Sequence, residues 1–424
     1  MDRTFGRLPT PYRLAAFTAA ANLIGGAHMP FFPSWMASKG LDATDIGLII
    51  AIMGMIRVVT GPVMSFAAEA AQRQRQTIIL LTGGAAASYA AYFWADTFFW
   101  ILAWSLTTSA AWSAVSPLFE SITLRAGQRE GFQYGRVRLW GTAAFVVSNV
   151  ASGWLVQAYG IAAFLPYLTI AGLIALIFSL GVPQEQPDHQ APTNGTKDQL
   201  RSAIRLCIHP VFALFVLAGA LAQAQHGFYY GFATLDWKAQ GFSAATAGVL
   251  WAIGPIAEIV LFYYGAKVMR LVAPTHLLAL AGASGVIKWG VMALAPPLWI
   301  LFPLQILHAG TFAAAHLGAM QFILRAVPGH LAATAQAVYA AITYGVVMAA
   351  AQFASGLLFH DYGSLGYLAM SAMGGGALIL SLVLARAWQG QTLAPAQDTT
   401  IEPAALPWSP QFVDRPDNTR PPQP

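Results

Sequence analysis

Of 424 residues, 57% are hydrophobic and 9% charged, whereas an ordinary soluble chain carries about 25% charge. That balance, sustained along most of the length, excludes a soluble globular domain and implies an all-α membrane protein that crosses the lipid bilayer many times. The lone cysteine, Cys207, excludes an intrachain disulfide framework and a cysteine-held metal cluster.

The first apolar run follows Arg3, Arg7 and Arg13 and contains Ala19-Ala20-Ala21, which resembles a signal-peptide cleavage site. It continues to about Ala37, long enough to span, and reads as a first transmembrane helix. Further spans are expected near 45–67, 77–95, 98–122, 138–158 and 162–181. A second set of six is expected near 210–235, 245–266, 274–295, 298–322, 334–358 and 365–385, the first span lying at 13–37. Together they make twelve helices in two halves, 1–182 and 207–387, joined by a polar cytoplasmic linker over 183–206. Residues 388–424, with Pro, Gln and Asp and no helical period, read as a disordered cytoplasmic tail.

The net charge of +5 is a topology signal. Of 22 Lys and Arg residues, 18 fall on one side of the expected spans, Lys39 and Lys238 on the other, and Arg57 and Lys288 inside spans. By the positive-inside rule both termini and the linker are cytoplasmic, and no nucleic-acid partner is implied; the expected location is a bacterial inner membrane.

An internal repeat supports the two halves. At an offset of 201, KGLDATDIGLIIAI (39–52) matches QGFSAATAGVLWAI (240–253), with Gly40/Gly241 and Gly47/Gly248 in register. Later, SGWLVQAYG (152–160) matches SGLLFHDYG (355–363). A six-span repeat is the signature of transporters with a site between two halves. The same offset makes Arg57 and Glu258 equivalent positions.

Arg57, Glu258 and Lys288 sit deep in their spans, and Glu120 lies near the cytoplasmic end of the fourth. Each deep charge costs roughly 2.5–3.5 kcal/mol, about 8–10 for the three, so they are expected to be paired or hydrated. One reading is a set of ion pairs fixing helix register, such as Glu258 with Lys288. The other is a transport site, in which a carboxylate beside a cation takes up or releases a proton as substrate arrives. Glu120 is either part of that site or an end-of-helix charge paired with Arg125 or Arg129.

Within QILHAGTFAAAHLGAMQ (305–321), His308 and His316 lie about 80° apart around a helix, with Thr311 and Ala315 between them. Imidazoles titrate near neutrality, so both join Glu258 as candidate proton carriers, although packing by hydrogen bonds is an equal alternative. His28 and His226 follow the same logic. Pro30, Pro33, Pro117, Pro255 and Pro303 free carbonyls inside spans, which neighbouring helices or a wet cavity must satisfy. No HExxH, GxSxG or acidic metal cluster accompanies these groups, so an enzyme, a cofactor and a metal site are not expected.

YGRVRLWGTAAFV (134–146), YYGFATLDWKAQGFSAATAGVLWAIGPIAEIVLF (229–262), LQILHAGTFAAAHLGAM (304–320) and AQAVYAAITYG (335–345) closely resemble the 3-phenylpropionate permease family, similar in layout to lactose–proton symporters. After the second span, Ser65, Glu69, Ala70, Gln72 and Arg73 stand at the places of the major facilitator motif G-x-x-x-D-R-x-G-R, where the acid and one arginine survive. The resemblance covers roughly residues 12–386 and implies the major facilitator fold, alternating access and coupled proton entry. It places family polar positions on Glu258, His308 and His316. Lys288 stands where Arg is expected and Glu120 where Asp is expected. Both keep the charge, but Lys lacks the bidentate geometry of Arg.

The resulting expectation is a proton symporter importing a small organic solute, an aromatic carboxylate such as a phenylpropionate. Arg57 and Lys288 attract the anion, Glu258 carries the proton, and His308, His316 and Glu120 assist. Trp112, Tyr229, Tyr230 and Trp251 are candidates to stack on a ring, with His28 and His226 as further binding groups. A sugar or nucleoside symporter is the alternative, with an uncoupled sensor or channel behind it.

Overall fold

The computed structural model describes residues 8–184 and 204–393, so the linker over 185–203 and the tail beyond 393 lie outside the described residues. Helices account for nearly all of what is described. In the N-terminal half they are α1 (Thr10–Ser38), α2 (Ala43–Ala70), α3 (Gln74–Ala91), α4 (Phe98–Glu130), α5 (Tyr134–Tyr159) and α6 (Phe164–Ser179). The C-terminal half begins with α7, in two pieces, Pro210–Ala224 and Gly227–Ala239, followed by α8 (Ala244–Tyr263) and α9 (Pro274–Met292). Next comes α10, built from Leu298–Ile306, a π-helical turn Ala309–Ala313, and Ala314–Ala326. Likewise α11 runs through Ala332–Ala340, a π-helical stretch Ala341–Val347, and Met348–Tyr362, before α12 (Tyr367–Ala387).

Each of the twelve expected spans thus has a helical counterpart. By length and composition alone, nine helices among the described residues suffice to cross a membrane, or ten if Gly265–Leu271 and Pro274–Met292, bent by 109°, count as one. One of the nine, Gly329–Ala387, has 59 residues, about 88 Å of helix against an apolar core of about 30 Å. The chain reverses there at Gly363, whose φ of +56° suits glycine, and makes two passes, α11 and α12. Thr10–Ser38 falls short of that test, yet it lies in the bundle between α5, α6 and the second piece of α7.

The repeat read from sequence is visible in the backbone. Gly40 and Gly241 both turn with φ +88°, and Asp42 and Ser243 then cap α2 and α8. The backbone N–H of Asp45 donates to the Asp42 carboxylate at 2.8 Å, and that of Thr246 to the Ser243 hydroxyl at 3.1 Å.

The other paired glycines join the two halves. α2 packs along α11, where a Cβ on Gly47 would lie 2.8 Å from the Cα of Gly356. α5 packs along α8, where a Cβ on Gly153 would lie 2.7 Å from the Ala244 carbonyl and 3.1 Å from the Cα of Gly248. Each crossing therefore admits only hydrogen at its closest point, and the two are related by the repeat. Around them Phe32, Trp35 and Ile49 meet Phe232, Trp237 and Trp251 in one buried cluster that seals this end of the bundle. Such packing holds the halves together where the loops bearing Lys39 and Lys238 emerge.

At the opposite end, where α1 begins and α12 ends, the segment assigned by sequence to the tail begins with ordered packing. Trp388 and Leu393 are each 7% exposed, and the Leu393 N–H donates to the Ala326 carbonyl at 2.8 Å. Leu206, at the end of the expected linker, is buried in the same cluster. Apolar side chains at both margins extend the core of the C-terminal half. Trp388→Ala is expected to cost about 3 kcal/mol, read as a lower unfolding midpoint in detergent.

Candidate functional site

A cavity of about 880 Å³ lies between the halves. It runs from His28 and Phe32 on α1 to Ser65 on α2 and Ala337 on α11, near the end where α1 begins and α12 ends. Arg57 occupies the middle of α2, and its side chain is exposed, but to this cavity. The guanidinium has no hydrogen-bond or ion-pair partner among the described residues. His28 stacks on Phe32 with centroids 4.3 Å apart, and its buried Nε2 is also unpartnered. Across the cavity stand Tyr230, Tyr344 and Gln352, and Met29, Ile50, Met53, Val58 and Met348 supply apolar wall. A mainly apolar chamber with one free cation deep in the bundle suits an amphipathic anion.

The remaining deep charges form a second group inside the C-terminal half. His308 Nε2 stands 3.2 Å from Glu258 Oε1, and Lys288 Nζ lies 3.3 Å from His308 Nδ1. An ammonium has no acceptor, so His308 Nδ1 accepts and the proton of the neutral ring sits on Nε2, facing Glu258. The imidazole thus bridges cation and carboxylate, and no direct ion pair joins Glu258 to Lys288 among the described residues. Lys288 is 0% exposed, with Nζ 4.7 Å from the ring centres of both Tyr229 and Trp289. Those faces stabilise a cation that water does not reach.

Breaks in the helices create this arrangement. The π-turn of α10 begins directly after His308, and α7 is interrupted at Gln225 and His226. Gln225 occupies the break, donating to the Ala281 carbonyl at 3.3 Å and accepting from the Trp289 indole at 3.1 Å. His226 Nδ1 faces the Gln223 carbonyl at 2.8 Å and must donate there, so Nε2 of the neutral ring accepts from Thr311 at 2.9 Å. Gly254 on α8 makes room for His308, since a Cβ there would lie 2.9 Å from its ring.

Several sequence candidates land elsewhere. Lys288, expected to attract the anion, is walled off from the cavity by Tyr229 and Trp289. Tyr229 and Trp251 pack on each other at 4.5 Å and are buried, and His226 is 0% exposed, so Tyr230 alone of these reaches the cavity wall. His316 meets the edge of Phe262 at 6.0 Å, and Glu258 of α8 and Arg138 of α5 lie within electrostatic reach. Glu120 lies beside Tyr134, while Arg125 donates to Gln74 at 2.5 Å and Arg129 pairs with Glu130 at 2.7 Å. Trp112 lines a side pocket next to Tyr89. Tyr344, Gln352 and Tyr89 were not singled out by sequence, because a neutral polar residue in a span carries no cost large enough to mark it. Tyr344 does lie within AQAVYAAITYG, one of the family-like stretches.

Two helical halves closed at one end around a charged cavity define a transporter of the major facilitator class. The chain belongs to the MFS_1 like family, whose model matches residues 21–369. It is 30% identical over 344 residues to the probable 3-phenylpropionic acid transporter of Escherichia coli K12, covering 80% of this chain and 88% of that protein. It is 25% identical over 355 residues to the uncharacterized transporter YwbF of Bacillus subtilis 168, covering 83% and 87%. The nucleoside transporter NupG has a similar fold, with TM-score 0.76 at 16% identity over 89% of this chain and 99% of that one. The protein is therefore an integral membrane transporter of the phenylpropionate permease type.

Proposed function

We propose that the chain is a proton symporter that imports an aromatic carboxylate across the bacterial inner membrane, with both termini in the cytoplasm. The observation that carries this reading is the unpartnered Arg57 in a mainly apolar cavity. A sugar or nucleoside gains no more than an ordinary hydrogen bond from this cation, whereas a carboxylate gains a charge-assisted, bidentate pair. The relative named for 3-phenylpropionic acid supports the same choice. The halves, 1–182 and 207–387, rock about the site, with 183–206 as linker and the segment after 388 as tail. The Gly47–Gly356 and Gly153–Gly248 crossings close one end of the bundle; in this reading that is the outer end, and the cavity opens to the cytoplasm.

In this reading the proton rides on Glu258. Tyr230 faces the cavity and lies within electrostatic reach of Glu258, which links substrate and proton sites. When Glu258 is protonated, the bridge through His308 to Lys288 loses its anion, and the C-terminal half is freed to repack. Arg138 supplies further charge on the same side, within electrostatic reach of His316.

Uptake of labelled 3-phenylpropionate into proteoliposomes, with and without an imposed pH gradient, tests the function. One-to-one coupling to a gradient of one pH unit sustains about tenfold accumulation, equivalent to about 1.4 kcal/mol. Glu258→Gln is expected to abolish that accumulation while leaving counterflow exchange intact. Uptake of a sugar but no aromatic acid by the wild-type protein would overturn the substrate; gradient-driven accumulation by Glu258→Gln would overturn the proton site.

A further inference from the structure

A side pocket of about 250 Å³ in the N-terminal half adjoins the central cavity, and both are lined by Gly25, His28, Met53 and Arg57. It also exposes Tyr89 of α3 and Trp112 of α4. The Trp112 indole N–H donates to the Tyr89 hydroxyl oxygen at 3.0 Å. An indole nitrogen only donates, so the phenol is the acceptor and keeps its own O–H to give. That O–H has no acceptor among the described residues, although Tyr89 is 2% exposed. His28 Nε2 is buried without a partner, and the Arg57 guanidinium is unpaired. Buried polar groups are ordinarily satisfied, and here two donors, the Arg57 guanidinium and the Tyr89 O–H, and a ring nitrogen of His28 meet on one pocket without a partner among the described residues.

We propose that this side pocket seats the carboxylate of the transported acid, held by Arg57, Tyr89 and His28, while the apolar body of the acid stays in the central cavity. Trp112 is then a positioning residue. By donating to Tyr89 it leaves the phenol O–H turned towards the anion, and it does not stack on the substrate ring. At about 30 Å³ per water, the pocket has room for a carboxylate together with several waters. The surrounding apolar residues Phe17, Ile24, Val115 and Phe119 exclude bulk solvent and strengthen each charge-assisted bond. This inference rests on the anion reading above and adds where the anion binds, which residues recognise it, and why a neutral analogue is rejected.

Equilibrium binding of 3-phenylpropionate and of uncharged 3-phenylpropionamide to the full-length protein in detergent tests the seat. Tyr89→Phe keeps the ring and removes the donor. It is expected to weaken acid binding about tenfold and to leave amide binding within about twofold. Trp112→Phe is expected to weaken acid binding about threefold, and to add nothing in the double variant with Tyr89→Phe. Unchanged acid binding in Tyr89→Phe, an equal loss for acid and amide, or additive effects in the double variant overturn the proposal. Amide binding also reports that each variant is folded. Should the wild-type protein bind no aromatic acid, the anion reading itself fails, and that result is visible before any variant is made.

Discussion

Arg57→Gln is expected to weaken binding of 3-phenylpropionate by two to three orders of magnitude, about 3–4 kcal/mol, in equilibrium binding to purified protein. The guanidinium is the one unpaired charge on the cavity wall among the described residues, so glutamine leaves a bound carboxylate without its counter-charge. Arg57→Lys should recover only part of the loss, because an ammonium is a point charge and cannot form two parallel bonds to a carboxylate. Lys288 offers no rescue, since it is buried behind Tyr229 and held by His308. For a neutral sugar or nucleoside the same variant should shift binding only a few-fold, about 1 kcal/mol for an ordinary hydrogen bond. A few-fold effect on the acid as well would remove Arg57 from the site and favour the neutral substrate.

The second large effect is expected at the outer closure. In Gly47→Trp with Gly248→Trp, each indole must enter a crossing where a single Cβ already falls 3.1 Å or less from the facing Cα. Overpacking of this kind costs about 1–3 kcal/mol per site and more for a ring against backbone. About 5.5 kcal/mol is enough to turn a 99:1 equilibrium into 1:99. The pair of substitutions therefore holds the outer end apart, and net uptake falls to the level of empty liposomes. Substrate binding survives, because neither glycine lines the cavity. A cysteine placed at Gln352, in a Cys207→Ser background, should become reactive to an impermeant thiol reagent from outside. Normal uptake with no gain in outside labelling would show that these crossings do not form the gate.

Both results depend on features that differ in how far they were legible. The repeat marked Gly40, Gly47, Gly241 and Gly248 in the sequence, and the structure explains each. Gly40 and Gly241 each make a left-handed turn before a capped helix, and Gly47 and Gly248 each admit a helix from the other half. Arg57, Glu258, Lys288 and His308 were legible because a polar or charged residue in an apolar run is conspicuous. Their grouping was not. The sequence placed Arg57 and Lys288 together as anion-binding cations, whereas the structure puts one on the cavity wall and turns the other into a bridge to Glu258 through His308. Tyr89 was invisible for the opposite reason, since a tyrosine near a helix end reads as ordinary membrane-protein composition.

By itself, then, the sequence determined that this is a helical membrane protein with costly charges in named spans, and it set the expected division into halves and the expected direction in which those spans are threaded. These properties are sums over local stretches: apolar length against bilayer thickness, charge at helix ends, and one half matched to the other. Only the tertiary structure decided which charges meet. Around the buried charges, rotation and bend are set by close packing at Gly254 of α8 against His308, at Gly282 of α9 against the Leu378 backbone and at Gly285 of α9 against Gln225, and by the breaks at Gln225 and after His308, through contacts with residues tens of positions away. A turn of one helix by a third of a circle exchanges a cavity-facing side chain for a buried one, and no local pattern in an apolar sequence records that angle.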